Sequence, residues 1–126
     1  MDVSAFHGRT RIPEMIESYT FGRIVVDGRS YTSDLIIYPD RVEDHWRRKS
    51  GHRLVPEDLE RLLQGQAGTL VVGTGNTGLI RVRAETLDHL ESAGFEVIVQ
   101  RTGEACETYN RLAEQGPVIA ALHLTC

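Results

Sequence analysis

Short hydrophobic runs punctuated by glycine, proline and charged residues dominate the chain, a spacing that suits strands more than long helices. Ile24-Val25-Val26 and Tyr31 flank Asp27-Gly28, a pair suited to the positive φ angles of a tight hairpin turn. Leu35-Ile36-Ile37-Tyr38 predicts a further strand, so the N-terminal part reads as a β-meander or hairpin. After the turn at Pro39-Asp40, Val42, Asp44 and Trp46 alternate along an extended segment and are expected on one side of it. Pro56-Glu57-Asp58 reads as a helix start, because proline is tolerated in a first turn and acidic side chains favour the positive end of the helix dipole. Leu59, Leu62 and Leu63 supply the apolar face of that helix.

Leu70-Val71-Val72 predicts a buried strand that stops in Gly73-Thr74-Gly75-Asn76-Thr77-Gly78, followed by apparent extended chain over Leu79-Ile80-Arg81-Val82. A second helix runs from Ala84 to Ala93, with Leu87 and Leu90 inward and Gly94 as its stop. Phe95 to Val99 is the next strand. Thr102 is placed to cap a third helix, on which Ala105, Cys106, Tyr109, Leu112 and Ala113 share a face. Gly116-Pro117 ends it, and Val118 to Leu124 is too continuously apolar to be half-exposed, so this strand belongs in the middle of a sheet. Strands followed by alternating helices and strands define an α/β domain over 16–126, preceded by an arm over 1–15, with a parallel crossover between the strands at Leu70 and Phe95. The glycine loop then lies at the carboxyl end of a strand, where ligands usually bind open α/β sheets.

Composition narrows the function classes. The 126 residues are 40% hydrophobic and 25% charged, which fits one globular core. Two cysteines without a CxxC imply neither a zinc site nor a disulfide framework and point to a reducing cytoplasm. No apolar run reaches membrane-spanning length. With 18 acidic against 14 basic side chains, the net charge of -4 argues against general nucleic-acid binding, which needs phosphate neutralisation.

Gly73, Gly75 and Gly78 satisfy the G-x-G-x-x-G spacing of a dinucleotide fingerprint, but its context fails. Extended chain replaces the helix that should follow, and the next strand ends at Gln100-Arg101-Thr102 without the carboxylate that would hold a ribose. A tight turn beside the sheet is therefore the favoured reading. The remaining ligand reading holds an anion between Gly73, Thr74, Gly75, Asn76, the start of the third helix at Thr102, and Arg101. Asp34 is a further candidate at this site. Trp46 and Arg47 are candidate partner-binding residues, since an indole offers a large rigid face and a guanidinium binds carboxylate or phosphate; Arg48 and Lys49 are expected to be solvated. His123, inside an apolar strand, reads as a hydrogen-bonded core histidine, and Cys106 as a small core residue. The five histidines lack metal-ligand spacing. No catalytic set, metal site or cofactor is assigned.

Several separated stretches occur together in a familiar order: Phe21-Gly22, Ser33-Asp34-Leu35-Ile36, Gly51-His52-Arg53-Leu54, Asp58-Leu59, Val72-Gly73-Thr74-Gly75, Tyr109-Asn110 and Ala120 to Cys126. Over roughly 16–126 the chain resembles the domain of unknown function shared by archaeal and bacterial stand-alone proteins, the adipogenesis-associated domain protein and mitochondrial complex I assembly factor 3. The resemblance implies a three-layer α/β fold with a mixed central sheet and a pocket near the glycine loop, and no settled activity for the prokaryotic members. Two readings follow. The first is a small binding or assembly module that recognises a protein or small anionic ligand. The alternative is an oxidoreductase-like enzyme using a nucleotide or flavin at Gly73 to Gly78, with Arg101 and Thr102 assisting and His123 or Cys126 near the chemistry.

Overall fold

A computed structural model describes residues 14–65 and 68–126, in which the first hydrophobic runs form an antiparallel sheet of β1 (Ile16–Thr20), β2 (Arg23–Val26) and β3 (Arg29–Tyr31). The hairpin turn lies where expected: Asp27 and Gly28 take φ values of 50° and 79°, both in the left-handed region that a two-residue turn of this twist demands. Of the expected N-terminal arm, residues 1–13 lie outside the described residues. Glu14 and Met15 join the fold, the Met15 amide donating to the Asp27 carboxylate at 2.9 Å and the Asp27 amide to the Met15 carbonyl at 3.0 Å.

The meander ends at β3. The next strand, β4 (Leu35–Tyr38), crosses into a second sheet ordered β5-β4-β10-β7-β9, with β5 (Arg41–Asp44), β7 (Thr69–Gly73), β9 (Glu96–Gln100) and β10 (Val118–Leu122). All four residues of β4 are buried, and a strand apolar on both faces needs a sheet covered on both sides. Strands β7, β9 and β10 are mutually parallel, while β4 is antiparallel to β10 and to β5, so the sheet is mixed. The fully buried β10 occupies the centre, as its uninterrupted apolar sequence predicts.

Side-chain alternation along these strands divides the interior into two cores. Leu35, Ile37, Val71, Ala120 and Leu122 face one side, where they meet Ile16, Ile24 and Val26 of the small sheet and Ala105, Cys106, Tyr109 and Ala113 of α3 (Thr102–Ala113). Ile36, Leu70, Val72, Ile119 and Ala121 face the other side. There they are covered by Leu59 and Leu62 and by Leu90 of α2 (Ala84–Ser92). The helix expected from Pro56 starts as a 3₁₀ turn, Pro56–Leu59, and continues as a single helical turn, α1 (Glu60–Leu63). A two-residue parallel pair, β6 (Arg53–Leu54) with β8 (Arg81–Val82), adds to this layer, and the buried Thr86 hydroxyl of α2 donates to the Leu54 carbonyl at 2.8 Å. The result is a three-layer α/β fold. Among the described residues no helix is long and apolar enough to cross a membrane.

The expectation that Val42, Asp44 and Trp46 share one side fails at His45, whose φ of 58° breaks the extended alternation. Val42 consequently packs against the first core and Trp46 against the second.

The Tyr109-Asn110 pair explains how the small sheet stays attached to α3. The Asn110 amide group accepts from the Ile16 amide at 2.9 Å and donates to the Ile16 carbonyl at 2.7 Å, while the Tyr109 hydroxyl donates to the Glu14 carbonyl at 2.8 Å. Replacing Asn110 by alanine removes two bonds of about 1 kcal/mol each. Asn110→Ala is expected to lower the unfolding free energy by about 2 kcal/mol in urea titration, with faster amide exchange in β1 before the central strands are affected.

Candidate functional site

Strand register assembles most of the sequence-predicted site residues. Asp44, Leu35, Leu122, Gly73 and Gln100 are successive Cα partners across all five strands of the central sheet. The residues one step beyond this row, His45-Trp46, Asp34, His123, Thr74 and Arg101, therefore emerge from one end of the sheet.

His123 is the meeting point at that end. Its Nδ1 lies 2.7 Å from Asp34 Oδ2, and Arg48 Nη2 lies 2.9 Å from the same oxygen. Asp34 Oδ1 accepts from the Leu124 amide at 2.8 Å. Arg48 Nη2 is also 3.2 Å from Nδ1, but a guanidinium has no acceptor, so both groups point donors at the carboxylate and the Nδ1 proton belongs to the Asp34 bond. Nε2 is left 3.4 Å from the Thr125 hydroxyl. Burial works against the Asp34 charge, yet the bonds from His123, the Leu124 amide and Arg48 outweigh it and hold the carboxyl below its ordinary pKa.

Arg48 was expected in solvent, but its side chain is only 6% exposed. A half-buried carboxylate needs a counter-charge, and Arg48 supplies it while its guanidinium carbon sits 4.8 Å from the centre of the Trp46 ring. Trp46 is partly buried: its indole N–H donates to the Asp58 carbonyl at 2.9 Å, and its amide donates to the Asp34 carbonyl at 2.9 Å. Asp58 in turn accepts from the Lys49 and Val55 amides at 2.9 and 3.0 Å, fixing the chain on both sides of the basic run. Arg47 is exposed, as is Lys49.

The glycine loop is held down on the same centre. Thr102 does not use its side chain to cap α3; Arg101 is the N-cap residue and makes no side-chain cap bond. Instead the Thr102 hydroxyl donates to the His123 carbonyl at 2.6 Å and accepts from the Gly75 amide at 2.8 Å. The Thr102 amide donates to the Gly75 carbonyl at 3.0 Å. The Asn76 amide reaches the Thr125 carbonyl at 2.6 Å, the Leu79 amide the Cys126 carbonyl at 3.1 Å, and the Thr74 amide the Gln100 carbonyl at 2.9 Å. Gly75 has a φ of 114°, and a Cβ there would collide with the backbone of Cys126. The glycine is thus required by the close approach of two backbones. Gly75 and Thr102 do come together as the sequence suggested, but in contact with each other, while exposed Arg101 lies with its stem against Gly78.

Carboxylate, imidazole and hydroxyl occur in the order Asp34, His123, Thr125, which is the order of a proton relay. Arg48 shares the carboxylate, and Nε2 to Thr125 is longer than an ordinary hydrogen bond, so the first consequence of the cluster is to fix the end of β10. Cys106 is buried on α3, as expected, and burial followed by the Glu107 charge pushes its thiol up to about 12. Sequence reasoning missed the partnership of Arg48, Asp34 and His123. Its signal was present: a carboxylate just before one apolar strand and a histidine just after another must satisfy each other when those strands pair antiparallel.

Two large apolar side chains remain in solvent beside this centre, Phe21 at 59% and Leu79 at 48% exposure. They flank the last residues of the chain: the Gly22 amide, next to Phe21, donates to the Leu124 carbonyl at 2.9 Å, and the Leu79 amide is the one bonded to Cys126.

A family model described as "Protein of unknown function (DUF498/DUF598)" matches residues 16–123. The human protein named NADH dehydrogenase [ubiquinone] 1 alpha subcomplex assembly factor 3 is 31% identical over 109 residues, covering 84% of this chain and 58% of that protein. The chain therefore spans little more than half the length of that relative. A crystal structure of a conserved hypothetical protein from Pyrococcus horikoshii OT3 is 32% identical and superposes with a TM-score of 0.78 over 88% of this chain and 98% of its own. A protein from Bordetella parapertussis shares the fold at 24% identity, with a TM-score of 0.74 over 89% and 96% of the two chains.

Replacing Asp34 by asparagine leaves Arg48 without its counter-charge. Asp34→Asn is expected to cost about 3 kcal/mol of stability near neutral pH, measured by denaturant unfolding. A folded-state pKa below the unfolded value means that the native carboxylate stabilises the fold fully above about pH 4, and that this contribution is lost as pH falls through the folded pKa. The asparagine variant should therefore show a shallower loss of stability in acid than the parent.

Proposed function

The chain belongs to the family described as protein of unknown function (DUF498/DUF598), and on that footing we propose that it is a binding or assembly module whose partner face is the glycine-loop end of the central sheet. The observation that carries this reading is the exposed pair Phe21 and Leu79 on either side of the chain's last residues. Large apolar side chains held in solvent on a fixed backbone are suited to protein contact. Gly73, Thr74, Gly75 and Asn76 form the base of that face, with Asp34 and Thr102 beneath it as supports. Arg101 and Arg47 are its exposed cations and would receive carboxylates of a partner or a small anionic ligand. Trp46 supports this end through its bond to Asp58, so its part in recognition is to hold Arg47 in place.

The human relative's name as an assembly factor supports a partner-binding role for the shared domain. Two free cysteines are consistent with a reducing compartment, and we place the module in the cytoplasm. The nucleotide-dependent alternative draws no support from the loop, because the Thr74, Gly75, Asn76 and Gly78 amides are bonded within the chain and β8 separates Gly78 from α2.

The test is a double substitution, Phe21→Glu with Leu79→Glu, followed by crosslinking and affinity capture from the native cell. Both side chains are exposed, so the melting temperature is expected to stay within about 2 °C of the parent, as for surface changes generally. Captured partners should be lost. Unchanged capture would exclude this face as the interface, and a large fall in melting temperature would assign the two side chains to packing instead.

A further inference from the structure

A second concentration of charge lies on the β6–β8 pair. Arg53 and Arg81 are Cα partners on adjacent parallel strands, so their side chains leave the same face of the ribbon about 4.8 Å apart at the backbone. Arg83 follows two residues later in extended backbone, with φ of -75° and ψ of 157°, which returns its side chain to the face of Arg81 about 6.6 Å along the strand. The alternate pair, Leu54 and Val82, turns inward: Leu54 is fully buried and Val82 packs on the second core. Alternation alone therefore forces three guanidiniums onto one small outer surface.

These arginines line a cleft of about 720 Å³ together with Ser50, His52 and Val82. His52 is fixed in the ribbon by its carbonyl, which accepts from the Arg81 amide at 2.9 Å. Among the described residues, the ion pairs of the chain involve Arg41, His45, Arg48, Lys49, Arg61 and His123, and none reaches Arg53, Arg81 or Arg83. Three cations that make no ion pair among the described residues, carried on backbone positions about 5 to 8 Å apart, repel one another, in a chain whose net charge is -4. An anion of matching charge density would relieve that repulsion.

The spacing selects among anions. An extended acidic peptide presents same-side carboxylates about 6.6 Å apart and offers at most two charges over this span. Sequence-independent nucleic-acid binding draws its strength from many phosphate contacts, commonly six to ten, more than three arginines can make. Linked phosphate groups place several charges and many acceptor oxygens on neighbouring centres, which suits guanidinium forks converging from adjacent strands. We propose that the β6–β8 cleft binds a short chain of phosphates, as inorganic polyphosphate or as the tail of a nucleotide, through Arg53, Arg81 and Arg83. This site shares no residue with the partner face proposed above, so either can fail alone.

The experiment titrates the full chain with inorganic tripolyphosphate by calorimetry and thermal shift, and repeats it with ATP and with the Arg53→Gln, Arg81→Gln, Arg83→Gln variant. Tripolyphosphate is expected to raise the melting temperature of the parent, and its affinity should fall at least about tenfold in the variant and weaken between 50 and 200 mM salt. ATP binding equal to tripolyphosphate shows that the phosphate chain alone is read, and tighter ATP binding shows that the cleft also reads the nucleoside; both support the site. No shift at about 5 mM tripolyphosphate, or equal affinity in a folded variant, overturns it. Binding of poly-glutamate that tripolyphosphate cannot displace also overturns it and assigns the cleft to an acidic protein. Should the triple variant melt early, Arg83→Gln alone, at an exposed helix N-cap, carries the comparison.

Discussion

The carboxylate of Asp34 is the constraint on which the end of the sheet depends. It accepts hydrogen bonds from His123 Nδ1 and the Leu124 amide and pairs with the Arg48 charge, and so ties the start of β4, the segment after β5 and the exit of β10 to one point. The His123 carbonyl extends this tie through the Thr102 hydroxyl to Gly75. The glycine loop, the first turn of α3 and the last strand are therefore positioned by one chain of hydrogen bonds. Charge-assisted bonds of this kind hold their geometry closely, and removing one member leaves the others without partners inside the protein.

On the proposed function, such a frame separates support from recognition. The Asp34 carboxylate, the Thr102 hydroxyl and the Gly75, Asn76 and Leu79 amides are engaged within the chain, while Phe21, Leu79, Arg47 and Arg101 are exposed. The β6–β8 ribbon follows the same logic, with Leu54 anchored in the core and the arginines carried outward on alternate positions. At both proposed sites the exposed groups are carried on ordered backbone, so that binding there would order side chains alone, which favours affinity for a given contact area.

Elements whose pattern was set by burial on known faces were legible in the sequence. The central position of β10, the hairpin at Asp27-Gly28 and the extended β8 after the glycine loop all follow from local composition. The resemblance to a family of unknown function, carried by separated motifs from Phe21-Gly22 to the last residues, agrees with the family match over 16–123. What local pattern could not give was pairing between distant polar residues. Arg48 looks like one charge in a solvated run until the strand register places its neighbours beside Asp34 and His123. Thr102 looks like a helix cap because capping is a local habit, but two backbones elsewhere in the fold claim its hydroxyl first. His45 shows a further limit: one left-handed residue reversed the facing of Trp46, and although histidine is among the residues enriched at positive φ, such residues are too uncommon for one to be placed from local pattern.

Amide hydrogen exchange at Gly75, Asn76 and Leu79 tests most directly whether the glycine loop is a clamped support. If the loop is held by Thr102 and the residues after His123, these three amides should exchange slowly, in step with the amides of β10, and Asp34→Asn should accelerate them together. Exchange at the rate of an unstructured loop in the parent protein, unaffected by Asp34→Asn, would contradict the clamp and return the loop amides to the role of free donors for a ligand.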